Sequence, residues 1–169
     1  MNEVKLIPAD HSQLFHLVYF AFDGDSDLID KYQAEKRTHA QLVNYVHNEI
    51  TSTMLNPVFK GDVHLYAIVI GKETAIGYCA LIINEVNPHM LFSYGINIKY
   101  RRKEILINWL KAAEEILGEN YYTCNWNENT RSIEFLKKNN FEIISNPEKP
   151  FVYAVKGDTS LIKKQMLCL

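Results

Sequence analysis

Residues 64–98 constrain the fold more than any other stretch, because three apolar runs follow one another there with only turn residues between them. His64 to Ile70 and Thr74 to Ile83 read as strands joined by a tight turn at Gly71-Lys72-Glu73. Met90 to Ile98 reads as a third strand of this meander, behind a turn at Asn87-Pro88. The period then changes. Ile105, Leu106, Trp109, Leu110, Ala113, Ile116 and Leu117 recur at helical spacing, and Gly118 supplies a stop. Tyr121 to Asn125 is a short strand, and a helix carrying Ile133, Phe135 and Leu136 follows it. Phe141 to Ile144 and Phe151 to Val155 form a closing hairpin around a proline-containing turn. A strand–helix–strand unit of this kind predicts two parallel strands side by side, connected right-handedly. It also sets a helix N-terminus at the sheet's edge, where phosphate is readily held.

Ahead of the meander, Glu3 to Pro8 is a short strand, and Asp10 or Ser12 caps a helix with Leu14, Val18 and Ala21 on its apolar face. An acidic loop, Asp23-Gly24-Asp25-Ser26-Asp27, breaks it. A second helix over about Thr38 to Met54 repeats apolar residues at Leu42, Val43, Val46 and Ile50, and Asn56-Pro57 with Lys60-Gly61 ends it. The class is α/β with a mixed, twisted sheet of six to seven strands flanked by about four helices. No repeat or low-complexity linker interrupts the pattern, so residues 1–169 read as a single domain. Residues 157–169 form a C-terminal extension, of which Thr159 to Leu169 is a short amphipathic helix.

Composition narrows the classes of function. A chain of 169 residues buries a sizeable core without disulfides or metals. The formal net charge of −2 sets up no global field for nucleic acid or acidic lipid. Cys79, Cys124 and Cys168 are an odd number without paired spacing, which argues for a reducing compartment. The longest apolar runs, such as Leu17 to Phe22, are too short to span a bilayer, and no basic start leads into an apolar stretch. The expected location is the cytoplasm, with no membrane partner.

The element order and two local patterns resemble the GNAT superfamily of acyl-CoA-dependent N-acetyltransferases. In that family the last meander strand runs into a loop of the form Tyr, Gln or Arg, two variable residues, Gly, one variable residue, Gly or Ala. Here the stretch is Tyr100-Arg101-Arg102-Lys103-Glu104-Ile105-Leu106, with Glu104 and Leu106 in the glycine places. The second pattern is Asn, then Ala or Ser three residues on, Tyr at seven, and Gly-Phe at eleven and twelve. The chain offers Asn129, Ser132, Leu136, Asn140 and Phe141, so Leu136 stands where the family often carries a tyrosine that protonates the leaving thiolate. Ile76-Gly77 in the second meander strand matches a further family feature. The resemblance covers residues 3–156 in element order and 64–141 in motif detail. It implies acetyl-CoA as the cofactor, with backbone groups of Ile96 and Ile98 aligning the pantetheine arm. It also implies Arg101, Arg102 and Lys103 at the pyrophosphate, and Asn129 with Ser132 ordering the cleft.

Glycine lets a helix N-terminus approach phosphate closely and take conformations that a Cβ forbids. Leu106 adds bulk, which is harmless if it turns into the core beside Trp109. Glu104 is the graver change. Its carboxylate stabilises the empty helix start by roughly 0.3–1 kcal/mol. Against a phosphate charge about 5 Å away, an effective dielectric near 20 gives a repulsion of roughly 3 kcal/mol. Arg101, Arg102 and Lys103 recover part of this as charge-assisted donors. Binding is weakened, not abolished.

For catalysis, Glu85 near the end of a meander strand is a candidate base, and Tyr122 a candidate acid, with Tyr121 and Tyr94 as its rivals. Glu85 equally reads as a solvated turn residue. Asp23, Asp25 and Asp27 have the alternation of a calcium loop, but Leu28 replaces its glycine and Ala34 its bidentate glutamate. The family resemblance implies that such a loop walls the acceptor site, where acidic residues would favour a cationic amine, but its plainer reading is a solvated surface loop. His11, His16, His39, His47, His64 and His89 show no metal-ligand spacing, so no metal site is expected. The basic cluster Lys99, Arg101, Arg102 and Lys103 reads as an exposed loop or a phosphate contact, and a single patch on a neutral chain gives nucleic acid little support. Cys124 lies in a strand and reads as core rather than nucleophile.

Two functions remain open. One is transfer of an acetyl group from acetyl-CoA to a primary amine on a small molecule or protein. The other is a catalytically retired module of the same fold, with a protein partner or self-assembly role, such as a phage virion component; a virion location would follow from that origin.

Overall fold

The computed structural model describes residues 3–26, 38–57, 61–85, 88–158 and 160–167. Of the acidic loop's calcium-like positions, Asp27, Leu28 and Ala34 lie outside the described residues, as do Asn87 of the expected turn and Cys168.

Seven strands form one sheet. They are β1 (Val4–Pro8), β2 (Asp62–Ile70), β3 (Thr74–Ile83), β4 (His89–Ile96), β5 (Tyr121–Trp126), β6 (Glu142–Ser145) and β7 (Phe151–Lys156). The order across the sheet is β1-β2-β3-β4-β5-β7-β6. Every pair is antiparallel except β4 with β5, the parallel pair that the strand–helix–strand pattern predicts.

Five helices are described, where the sequence reading expects about four: α1 (His11–Phe22), α2 (His39–Leu55), α3 (Lys103–Leu117), α4 (Thr130–Lys138) and α5 (Ser160–Leu167). The fifth is the helix of the C-terminal extension. No helix among the described residues is long and apolar enough to cross a membrane. Capping boxes start α1 and α2: Asp10 with Gln13, and Thr38 with Gln41, each satisfy two otherwise orphaned backbone donors. Gly118 ends α3 at φ +77°, where a Cβ would be strained. Asn140 is the non-glycine residue at positive φ, +67°, among those described. It stands in the glycine place of the second motif, and asparagine is the side chain that tolerates this conformation best.

The sheet is buried on both faces. Leu14, Val18 and Ala21 of α1 and Leu42, Val43, Val46 and Ile50 of α2 pack together against Leu65, Tyr78 and Ala80. On the opposite face Ile105, Trp109, Leu110, Ala113 and Leu117 of α3 pack against Ile68, Cys79, Leu81 and Leu91. β3 therefore deals alternate side chains to the two cores, as the period of a strand requires. Gly77 and Gly95 let β3 and β4 approach closely, since a Cβ on Gly77 would meet the Gly95 carbonyl oxygen at 2.0 Å.

Candidate functional site

β4 and β5 pair only at His89 with Tyr121, Met90 with Tyr122 and Leu91 with Thr123. Both strands run on, to Ile96 and Trp126, without pairing further, so they splay. The bend has a local cause. Leu91 lies opposite Leu81 and Ser93 opposite Ala80, which makes Phe92 the extra residue of a bulge.

The splay leaves backbone groups on an open edge. Asn97 N–H donates to Ile76 C=O at 2.8 Å, across an antiparallel pair. Directly opposed residues alternate between hydrogen-bonded and non-bonded pairs, so the N–H and C=O of Ile96 and Tyr94 face away from β3 into the gap. Within it lies a cavity of about 450 Å³. Phe22, Val46 and Glu49 wall it on the α1–α2 side, Cys124, Asn125 and Trp126 on the β5 side, and Leu106 and Trp109 from α3.

A polar cluster sits among these apolar walls. Tyr94 Oη lies 3.0 Å from Ser132 Oγ, which donates to Asn125 Oδ1 at 3.0 Å. Ser132 is placed by the start of α4, where Asn129 Oδ1 accepts its backbone N–H at 3.3 Å. The Tyr94 ring stacks on Trp109 with centroids 4.8 Å apart. Burial raises the Tyr94 phenol above its ordinary value, with the Ser132 hydrogen bond opposing. Thr123 and Asn125 are buried beside this cluster, with their polar side chains toward Tyr94.

The loop after β4 is arranged differently from the sequence expectation. Arg101 turns inward: its Nε donates to Ile96 C=O at 2.7 Å, and its guanidinium pairs with Asp25, whose side chain is 1% exposed, at 2.5 Å. Asn97 Nδ2 donates to Phe20 C=O at 2.7 Å. Together these two side chains clasp the end of β4 to the end of α1. The charge of Asp25 is spent on Arg101, not turned to a calcium ion or a cationic acceptor. Arg102, Lys103 and Glu104 are exposed at the start of α3. Arg102 caps that helix without a side-chain hydrogen bond, and the Glu104 carboxylate does not fold back onto the helix amides.

The predicted residues are thus partly assembled. Ile96, Arg101, Asn129 and Ser132 line the cavity, while Arg102, Lys103 and Glu104 do not line it and are exposed at the start of α3. Ile98 does not extend β4; it begins a 3-10 turn, Ile98–Tyr100, because the chain bends at Asn97. Glu85 is an exposed turn residue away from the cavity wall. Tyr122 sits where β5 is still paired with β4, beside Tyr153, and Tyr121 donates to Glu114 in the core at 2.8 Å. Tyr94 is the tyrosine that the fold brings to the Asn129–Ser132 motif. Leu136, in the family's tyrosine place, is fully buried.

Sequence reasoning also missed Glu49. It lies at the cavity rim with solvent on one side, and desolvation raises its carboxyl above the usual range. Cys124 shares the wall, its thiol pushed up to about 11 by burial and by Glu49, which leaves it protonated and inert at neutral pH.

No family model matches the sequence, and no curated protein matches it. Solved structures do. An acetyltransferase from Thermus thermophilus superposes with a TM-score of 0.67 at 14% identity, over 92% of this chain and 99% of that one. The PaiA N-acetyltransferase from Thermoplasma acidophilum, in complex with coenzyme A, gives 0.57 at 17% identity over 91% and 99%. The aminoglycoside acetyltransferase AAC(6')-Ib, with coenzyme A and kanamycin, gives 0.60 at 16% identity over 96% and 99%.

Proposed function

We propose that this chain, which has the fold of the GNAT acetyltransferases, moves an acetyl group from acetyl-CoA to a primary amine in the cleft between β4 and β5. The observation that carries the reading is the splay itself: an unpaired β4 edge beside a half-buried tyrosine hydroxyl, with the first turn of α3 at the cavity wall. The residues fit an acyl thioester. Tyr94 offers backbone groups and Ile96 its N–H along the gap, Asn125 a side-chain amide, and Arg102 and Lys103 positive charge at the start of α3.

Bound acetyl-CoA supplies an acetyl carbonyl activated by a thiolate leaving group. Glu49 takes a proton from the acceptor ammonium, directly or through water, leaving a neutral amine to attack the carbonyl carbon. Its raised carboxyl is a better proton acceptor than a solvated glutamate. With acetyl-CoA bound, Tyr94 would protonate the sulfur as the C–S bond breaks, the nitrogen's second proton would pass to solvent as the amide forms, and Tyr94 would recover its own proton through Ser132 or solvent. A phenol held neutral by burial carries that proton at any pH near neutrality.

One observation favours the second reading, a retired module that binds a protein. Glu104 presents its carboxylate at the helix start, and Arg101 is withdrawn onto Asp25, so the loop offers less positive charge than its sequence suggests. Calorimetric titration with acetyl-CoA separates the two. Affinity in the micromolar range supports transfer; no heat at millimolar ligand removes it and leaves the module.

A further inference from the structure

Resting on the acetyl-transfer reading, we propose that the acceptor is a monocationic amine carried on an apolar, aromatic-sized body, its ammonium held by Glu49 and its body by the aromatic wall of the cleft. The argument is one of charge and surface. The cavity is lined by Phe22, Tyr45, Phe92, Trp126, Phe135 and Phe151, and Glu49 is the one carboxylate among the described residues that line it. Arg101 lines it as well, its charge held by Asp25.

A single carboxylate at the rim neutralises one ammonium. A polycation would leave its other charges without a carboxylate to pair with, which costs desolvation without return. Trp126 is 38% exposed and Tyr45 is 38% exposed, a large apolar surface for side chains beside a cavity. Exposed aromatic area of this kind gains from covering by an apolar body, and the ring faces also attract a cation. The cavity, about 450 Å³, is of small-ligand size.

The test measures amine binding directly, by quenching of tryptophan fluorescence, with and without acetyl-CoA. The probes are 2-phenylethylamine, its neutral isostere 2-phenylethanol, and the polycation spermidine. Phenylethylamine is expected to bind at least about tenfold more tightly than either of the others. Glu49→Gln is expected to erase the preference for the amine over the alcohol while leaving alcohol affinity unchanged. Trp126→Ala is expected to weaken both about fivefold or more. Spermidine binding as tightly as phenylethylamine, no binding of phenylethylamine, or an amine preference that survives Glu49→Gln would each overturn the proposal. Amine binding as expected with no acetyl-CoA binding would sink the transfer reading alone, and acetyl-CoA binding without amine selectivity would sink this proposal alone.

Discussion

Removing Asp25 tests the clasp that fixes the loop after β4. In the wild-type chain the Asp25 side chain is 1% exposed and that of Arg101 21%, so the pair is shielded on one side and nearly so on the other. Taking about 4 Å between charge centres and an effective dielectric near 20, the attraction is roughly 4 kcal/mol. Desolvation of both ions offsets part of it, but removing one partner strands the other, which typically costs about 3–5 kcal/mol. Asp25→Ala is expected at the low end, about 3 kcal/mol, because Arg101 can swing into solvent. Arg101→Ala is expected at the high end, because Asp25 has no such exit and Ile96 C=O loses its donor as well. The double variant should then be less destabilised than the sum of the singles by about 2 kcal/mol, a coupling that contacting residues show and distant ones do not. Urea unfolding of the four proteins, read from midpoint and slope, measures each term. A coupling below about 0.5 kcal/mol would refute the reasoning and reduce the clasp to a surface ion pair.

Four further outcomes follow from particular contacts. Gly77→Ala should lose about 3 kcal/mol in the same assay, since the new Cβ would meet Gly95 backbone at 2.0 Å and must push β3 from β4. Glu104→Gly should tighten acetyl-CoA about tenfold by calorimetry while lowering stability by about 1 kcal/mol, the cost of glycine in a helix. Tyr94→Phe should lower kcat at least about a hundredfold with little change in the KM for acetyl-CoA, the pattern of a lost proton donor. With Glu49 raised above 4.5, the base form is depleted as pH falls through that raised value, so the rate should fall on the acid side and Glu49→Gln should abolish this limb.

Periodicity along the chain made the scaffold legible. The meander, the α3 stripe and the strand–helix–strand unit are all local patterns, and each reappears in the sheet order. The site was legible only where a motif is local too, as for Asn129 and Ser132, which sit within one helix start. Tyr94 was indistinguishable from Tyr121 and Tyr122, because its partner Ser132 lies 38 residues away and meets it across a splay that a bulge produces. Arg101 was misjudged for the same reason. A basic loop residue reads as solvated until a buried acid from another element is found beside it. Glu49 gave no signal at all, since a charged residue on the outer side of an amphipathic helix is what any surface helix shows.

The sheet is joined across its middle by three residue pairs, at His89, Met90 and Leu91, while the neighbouring pairings of β3 with β4 and β5 with β7 run along most of their length. That seam joins strands separated by the whole of α3, so closing it waits on a longer loop than the β3–β4 hairpin requires. A compound lodged between the splayed ends therefore acts as a suture: it ties one half of the molecule to the other where the protein's own stitches are fewest. Its grip should register as resistance to unfolding well beyond the residues it touches.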